Sequence, residues 1–237
     1  MNSWLALLAL LVVLALVYVG KKLTLAGTLT AGAVAVVIWA GTGLIGIILL
    51  GAFFILGTLA TSWQKEKKVK AALADADSSR RTAGQVLANG GVAAFCGLCA
   101  ALWPQHQMLL TIMLAGAFSA ASADTLSSEL GVLYGRRFYN IRTMRPDRRG
   151  LDGVVSLEGT LLGVVGSVVI GSLLLAKAEF SIIALFVVVL AGLAGNLTDS
   201  WLGATLERGG VLGNNAVNAL NTLVGAVIAG LLWHLWA

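Results

Sequence analysis

Five short polar stretches interrupt an otherwise apolar chain, and their residue types suit the binding of phosphate and a hard cation. The first, Arg80-Arg81-Thr82-Ala83-Gly84-Gln85-Val86-Leu87-Ala88-Asn89, repeats Arg81, Gln85 and Asn89 every four residues, so the three share one helical face. The second is Asp124-Thr125-Leu126-Ser127-Ser128-Glu129, with Asp124 and Ser128 one turn apart. The third, Arg148-Arg149-Gly150-Leu151-Asp152-Gly153-Val154-Val155-Ser156-Leu157-Glu158-Gly159-Thr160, has glycines that let backbone amides approach an anion. Its Ser156 is placed to cap a following helix whose N-terminus would face phosphate. The fourth is Asn196-Leu197-Thr198-Asp199-Ser200, and the fifth is Asn214-Asn215-Ala216-Val217-Asn218.

An ionisable group inside a membrane helix costs at least about 2.5 kcal/mol on insertion scales, so it usually faces protein or a water-filled cavity. Carboxylates, amides, a glycine-bounded loop and an arginine-rich segment are together what a magnesium nucleotide needs at a bilayer edge. Mg²⁺ takes a few oxygen ligands plus phosphates, and guanidinium groups neutralise phosphoryl oxygens.

The elements that must position these groups follow from composition. Of 237 residues 58% are hydrophobic and 11% charged, with two prolines, which excludes an ordinary soluble domain or a long disordered tail. Mean hydropathy is +0.91. The expected fold is all-α, a polytopic transmembrane helical bundle forming a single integral membrane domain over 1–237. Eight apolar runs are long enough for a hydrocarbon core of about 30 Å. They are approximately Ser3 to Val19, Leu23 to Ala40, Leu44 to Ser62, Gly84 to Trp103, Met108 to Leu130, Val154 to Leu175, Phe180 to Thr205 and Asn214 to Trp236. The Gly41-Thr42-Gly43 turn leaves open a re-entrant element in place of two spans, and hence seven crossings.

With the N-terminus outside, fifteen of the sixteen basic residues fall on the cytoplasmic side and only Lys177 is outside. The positive-inside rule therefore predicts a multi-pass protein of a bacterial inner or plasma membrane with both termini out and all five polar stretches at the cytoplasmic face. The +5 net charge is read as topology, not as affinity for nucleic acid. Lys65 to Lys70 and Arg136, Arg142 and Arg145 are read mainly as topology determinants or headgroup contacts. His106, His234, Trp103, Trp233 and Trp236 are read as interfacial residues, and Cys96 and Cys99 as an accidental pair.

Leu25-Ala26-Gly27-Thr28 and Leu157-Glu158-Gly159-Thr160 open the second and sixth runs, and Thr61-Ser62-Trp63 can be laid against Asp199-Ser200-Trp201. These matches suggest parallel four-helix halves; helix packing through small residues produces similar patterns.

At these residues the chain resembles an integral-membrane family containing plant and cyanobacterial phytyl phosphate kinases and animal transmembrane protein 19. The resemblance runs from about Leu25 to the C-terminus. It is carried by Phe53-Phe54-Ile55-Leu56-Gly57-Thr58, Arg81 to Gly90, Asp124 to Gly131, Gly153 to Thr160, Asp199 to Ala204 and Asn214 to Asn218. Two segments are also similar to dolichol kinase and phosphatidate cytidylyltransferase patterns. Val155 stands where dolichol kinases commonly have lysine, and Arg148 or Arg149 would supply that charge.

The resemblance implies transfer of a nucleotide γ-phosphoryl group, with CTP or another nucleoside triphosphate as donor, to an isoprenoid monophosphate. Asp124 and Asp199 would hold Mg²⁺, with Glu129 as a weaker candidate, and Arg148, Arg149 and the Asp152, Gly153, Ser156, Glu158, Gly159 and Thr160 segment would bind phosphates. Arg81, Gln85, Asn89, Ser128, Ser200, Asn214, Asn215 and Asn218 would position substrate or nucleotide. The expected partners are nucleoside triphosphate, isoprenoid monophosphate, the bilayer and a further copy in a homo-oligomer. A lipid or solute transporter and a CTP-dependent lipid nucleotidyltransferase are the competing expectations.

Overall fold

The computed structural model describes residues 3–71 and 80–236. Its helices are α1 (Ser3–Val19), α2 (Leu25–Thr42), α3 (Leu44–Ser62), α4 (Lys65–Lys70), α5 (Ala83–Leu102), α6 (Gln107–Tyr134), α7 (Leu157–Leu174), α8 (Ile182–Leu202) and α9 (Asn214–Trp236). Seven of them, α2, α3 and α5 to α9, are long and apolar enough to cross a membrane, whereas α1 has 17 residues and is shorter. The protein is a polytopic helical membrane protein. Two two-residue strands, β1 (Tyr139–Asn140) and β2 (Val154–Val155), pair antiparallel in the α6–α7 connection. The run expected to start a span at Val154 therefore begins as a strand, and α7 starts at Leu157.

Helix α6 is the axle. The helices α3, α7, α8, α9, α5 and α2 touch one another in that order and close a ring around it. The sequence permits this because the buried stretch Ala115 to Ala123 holds only alanine, glycine and serine apart from Phe118. Small side chains let helix backbones approach closely where no hydrophobic driving force separates protein from lipid. A Cβ added at Gly116 would lie 2.5 Å from the Gly225 carbonyl of α9, and one at Gly131 would lie 2.9 Å from the Gly159 Cα of α7. Phe118 fills the wider gap toward α3 by stacking on Phe53, with ring centroids 5.5 Å apart.

The Gly41-Thr42-Gly43 turn joins two complete helices. Gly43 alone connects α2 to α3 at φ 65°, a conformation glycine adopts without strain. Lys22 Nζ donates to Ser62 Oγ at 3.2 Å, so the two form a hairpin whose free ends meet. At the same end Leu23 bridges Arg81, and Trp63 Nε1 donates to the Tyr134 hydroxyl at 2.7 Å. This is the basic end of the bundle. At the opposite end Gln107 Nε2 donates to the Gly41 carbonyl at 2.7 Å.

The two segments matched as a repeat do occupy comparable places, because α2 and α7 both start at the basic end. Their halves pair differently, however. Helix α2 packs along α5, whereas α7 and α9 are held apart by α8.

Replacing Gly116 by valine should lower the thermal unfolding midpoint of detergent-solubilised protein, since overpacking a tight contact costs about 1–3 kcal/mol. Valine at the lipid-facing Leu161, which is 55% exposed, should leave it unchanged.

Candidate active site

The polar stretches converge at the basic end around one cavity of about 420 Å³. Arg81, bridged to Leu23 just ahead of α5, lines it with Gln85 and Asn89 of α5, and α6 supplies Asp124, Thr125, Ser127, Ser128 and Glu129. The α6–α7 connection covers it with Gly150 to Ser156, including Asp152. From α8 and the turn after it come Asn196, Asp199, Ser200, Gly203 and Glu207, from α9 Asn214 and Asn218, and from α3 Thr61.

Local sequence explains how each wall is built. Thr82 accepts from the Gln85 amide while the Gln85 side chain accepts from the Thr82 amide, a capping box that starts α5 at the rim. Ser156 Oγ accepts from the Gly159 amide at 3.1 Å and starts α7, as its position predicts. Helix α8 ends in a π turn, Gly203–Glu207, and such widened turns often shape functional sites. Gly153, at φ 69°, seats the covering loop on that turn, where any Cβ would strike the Ala204 backbone.

The carboxyl groups of Asp124 and Asp199 come within hydrogen-bonding reach of each other. Asn221 Nδ2 donates to Asp199 Oδ2 at 3.4 Å. Asp152 and Glu207 lie near Asp199, and Asn214 lies near Glu207. Two apposed carboxylates repel unless a proton or cation lies between them.

Among the described residues no group of three or more His, Cys, Asp or Glu side chains converges as a metal cage. The paired aspartates offer oxygen donors alone, which fits Mg²⁺ bound through one or two carboxylates, water and substrate phosphate rather than zinc. Against these acids stands Arg81, its guanidinium carbon 5.7 Å from the Phe53 ring centroid. No carboxylate forms an ion pair with it among the described residues.

Several expected residues are placed elsewhere. Arg148 and Arg149 are exposed and do not line the cavity, although the loop that follows them, Gly150 to Ser156, does. Glu158 accepts from the Arg136 amide at 3.3 Å, Gly159 packs on Gly131, and the Thr160 hydroxyl bonds the Ser156 carbonyl at 3.1 Å. Glu158 and Gly159 tie α7 to its neighbours, and none of the three lines the cavity. Asn215 faces a separate neighbouring recess with Thr82 and Gln85.

Thr125, Ser127 and Asn196 fall within the polar stretches, whereas Thr61, Lys68 and Glu207 lie outside them. Lys68 was grouped with topology lysines, yet it is 1% exposed and bonds Glu129 Oε2 at 2.6 Å. Glu207 sits before Arg208-Gly209-Gly210, which reads as a loop. Its spacing of eight residues from Asp199 was the available signal.

These features define a helical membrane protein with an acidic, amide-rich pocket at one end of the bundle. The chain belongs to the DUF92 family of integral membrane proteins, whose model matches residues 8–226. It is 33% identical to an uncharacterized membrane protein of Synechocystis over 92% of this chain and 86% of that one. It is 37% identical to an uncharacterized membrane protein of Methanocaldococcus jannaschii over 79% and 76% respectively. It is also 31% identical to the chloroplastic protein VTE6 of Arabidopsis thaliana, over 88% of this chain and 62% of VTE6. No solved structure matches the chain.

The covering loop is tied down by Arg208, whose Nη1 donates to Asp147 Oδ2 at 2.9 Å. The Arg148 amide, then the Arg208 side chain, hold the Asp147 carboxyl below the usual carboxylate range. A lowered folded-state value keeps this tether intact at neutral pH and releases it only as pH falls below that range. Asp147→Asn should speed hydrogen exchange across residues 136–156 without changing exchange in α6. Equal exchange in both proteins would show that the ion pair does not hold the loop.

Proposed function

We propose that this protein is a membrane-embedded kinase that transfers the γ-phosphoryl group of a nucleoside triphosphate, CTP as the leading donor, to an isoprenoid monophosphate. The observation that carries the reading is the meeting of Asp124 and Asp199, from helices far apart in sequence, in one polar cavity. The family resemblance to phytyl phosphate kinases supplies the acceptor class.

The acceptor is already an anion, so no strong general base is required and catalysis rests on alignment and charge neutralisation. An acceptor phosphate oxygen forms the new bond to the γ-phosphorus as the bond to the β–γ bridging oxygen breaks, and nucleoside diphosphate leaves with that electron pair. Asp124 and Asp199 would hold Mg²⁺, which when bound neutralises phosphate charge. Arg81 grips phosphate oxygens, with the N-termini of α5, α7 and α9 directed toward the same region. Gln85, Asn89, Asn214 and Asn218 orient phosphate or ribose oxygens. A polar cavity of about 420 Å³ suits phosphates, so the prenyl tail stays in the lipid phase along apolar helix surfaces. The positive-inside rule turns this end toward the cytoplasm.

Purified protein with labelled CTP, Mg²⁺ and phytyl monophosphate tests the reading. Label reaching the lipid from the γ-position is expected. Label from the α-position would make the protein a nucleotidyltransferase, and no transfer would favour transport. Asp124→Asn should reduce transfer at least about a hundredfold while the protein still inserts. Undiminished turnover would remove Asp124 from the mechanism.

A further inference from the structure

Lys68 is an unusual lysine: its side chain is buried, and all three ammonium hydrogens have partners. It donates to the Ala60 carbonyl at 3.1 Å, the Thr61 carbonyl at 3.0 Å and Glu129 Oε2 at 2.6 Å. The first two bonds cap the end of α3, and the third grips a cavity-lining carboxylate on α6. Arg81 lines the same cavity, and Glu129 is the acidic group whose field reaches it. Arg81 is nevertheless not paired with Glu129. It rests on the Phe53 ring and in the space left by Gly57, where an added Cβ would come 2.6 Å from its Nη2.

We propose that Lys68 is a positioning residue that holds Glu129 away from Arg81 and so keeps the guanidinium free to bind substrate phosphate. The inference rests on the kinase reading for its substrate. Its physical basis is competition, since a carboxylate can satisfy either of two cations. A lysine bond backed by two helix carbonyls fixes the choice. Without Lys68, Glu129 turns to Arg81 and neutralises it.

The test uses the full chain in lipid nanodiscs as wild type, Lys68→Met, Lys68→Arg, Glu129→Gln and the Lys68→Met/Glu129→Gln double variant. KM and kcat for phytyl monophosphate are measured together with the binding of inorganic pyrophosphate in the presence of Mg²⁺ by calorimetry. Lys68→Met should raise KM and weaken pyrophosphate binding about tenfold, the scale of one charged hydrogen bond, with a smaller effect on kcat. Lys68→Arg should recover much of the loss. The double variant should restore affinity to near wild type, because the competing carboxylate is gone. Loss of α3 capping alone would leave the double variant as impaired as the single one.

Failure of the double variant to recover, or weaker phosphate binding in Glu129→Gln alone, would overturn the proposal. If Lys68→Met does not accumulate, the Glu129→Gln comparison decides, with affinity at or above wild type expected. If the wild type binds pyrophosphate in this pattern yet transfers no phosphoryl group, the kinase reading fails while the role of Lys68 stands.

Discussion

A helix enclosed on every side by six others must be narrow, and the structure depends on that constraint. Helix α6 meets it with a buried run of alanine, glycine and serine apart from Phe118, and three of the ring helices answer with glycines at their crossings: Gly159 and Gly163 on α7, Gly192 and Gly195 on α8, Gly225 on α9. Close crossings draw the ends of the ring together. At the basic end, where α6 passes from Ala123 to Asp124, the same closeness crowds polar side chains from six segments into one volume. The site is thus a consequence of the packing that holds the bundle. A bulky residue in the middle of α6 would spread the ring and separate Asp124 from Asp199 even with both aspartates intact.

The membrane gives a second criterion, separating structural polar groups from functional ones. A hydroxyl in a helix surrounded by hydrocarbon can bond its own preceding turn, and many here do. Thr28 donates to Thr24, Thr42 to Ile38, Thr111 to Gln107 and Thr198 to Ala194, all at 2.7–2.9 Å. Such residues need no cavity. Among the described residues Arg81 has no ion-pair partner, and the Asp124–Asp199 contact sets like groups together. Polar groups left uncommitted at a cost signal a ligand more reliably than polar groups in number.

Much of this was legible in the chain. Apolar run length marked the spans, and the four-residue spacing of Gln85 and Asn89 places both on one face of α5 that lines the cavity, whereas Arg81 reaches it from the bridge to Leu23 ahead of the helix and not from that face. Asp124 and Asp199 stood out because carboxylates are costly within apolar runs. Arg148 and Arg149 were misplaced because adjacency to a glycine-bounded loop does not say which side of the loop faces inward. Lys68 was illegible for a different reason. Basic residues near a span carry topology information in bulk, and only tertiary packing singles out one of them to be buried. The first half of the Gly153 to Thr160 motif, Gly153 to Ser156, lines the cavity, whereas Gly159 in the second half packs on α6, a division set by where α7 begins.

The charge balance of the cavity constrains how a phosphate substrate enters under the proposed function. Its lining holds Asp124, Glu129, Asp152, Asp199 and Glu207 against Arg81, with Lys68 engaged behind the wall. Arg136, Arg137, Arg142, Arg145, Arg148 and Arg149 are exposed on the connection that covers it. A polyphosphate is therefore attracted to the outside of this end and repelled by its interior unless its charge arrives already compensated. An acidic chamber under a basic cover favours anions that come with a divalent cation, for which the paired aspartates are then attractive rather than repulsive. It disfavours simple anions of the same size. The free guanidinium of Arg81 then carries unusual weight, because among the described lining residues it is the cation left to meet the phosphate directly.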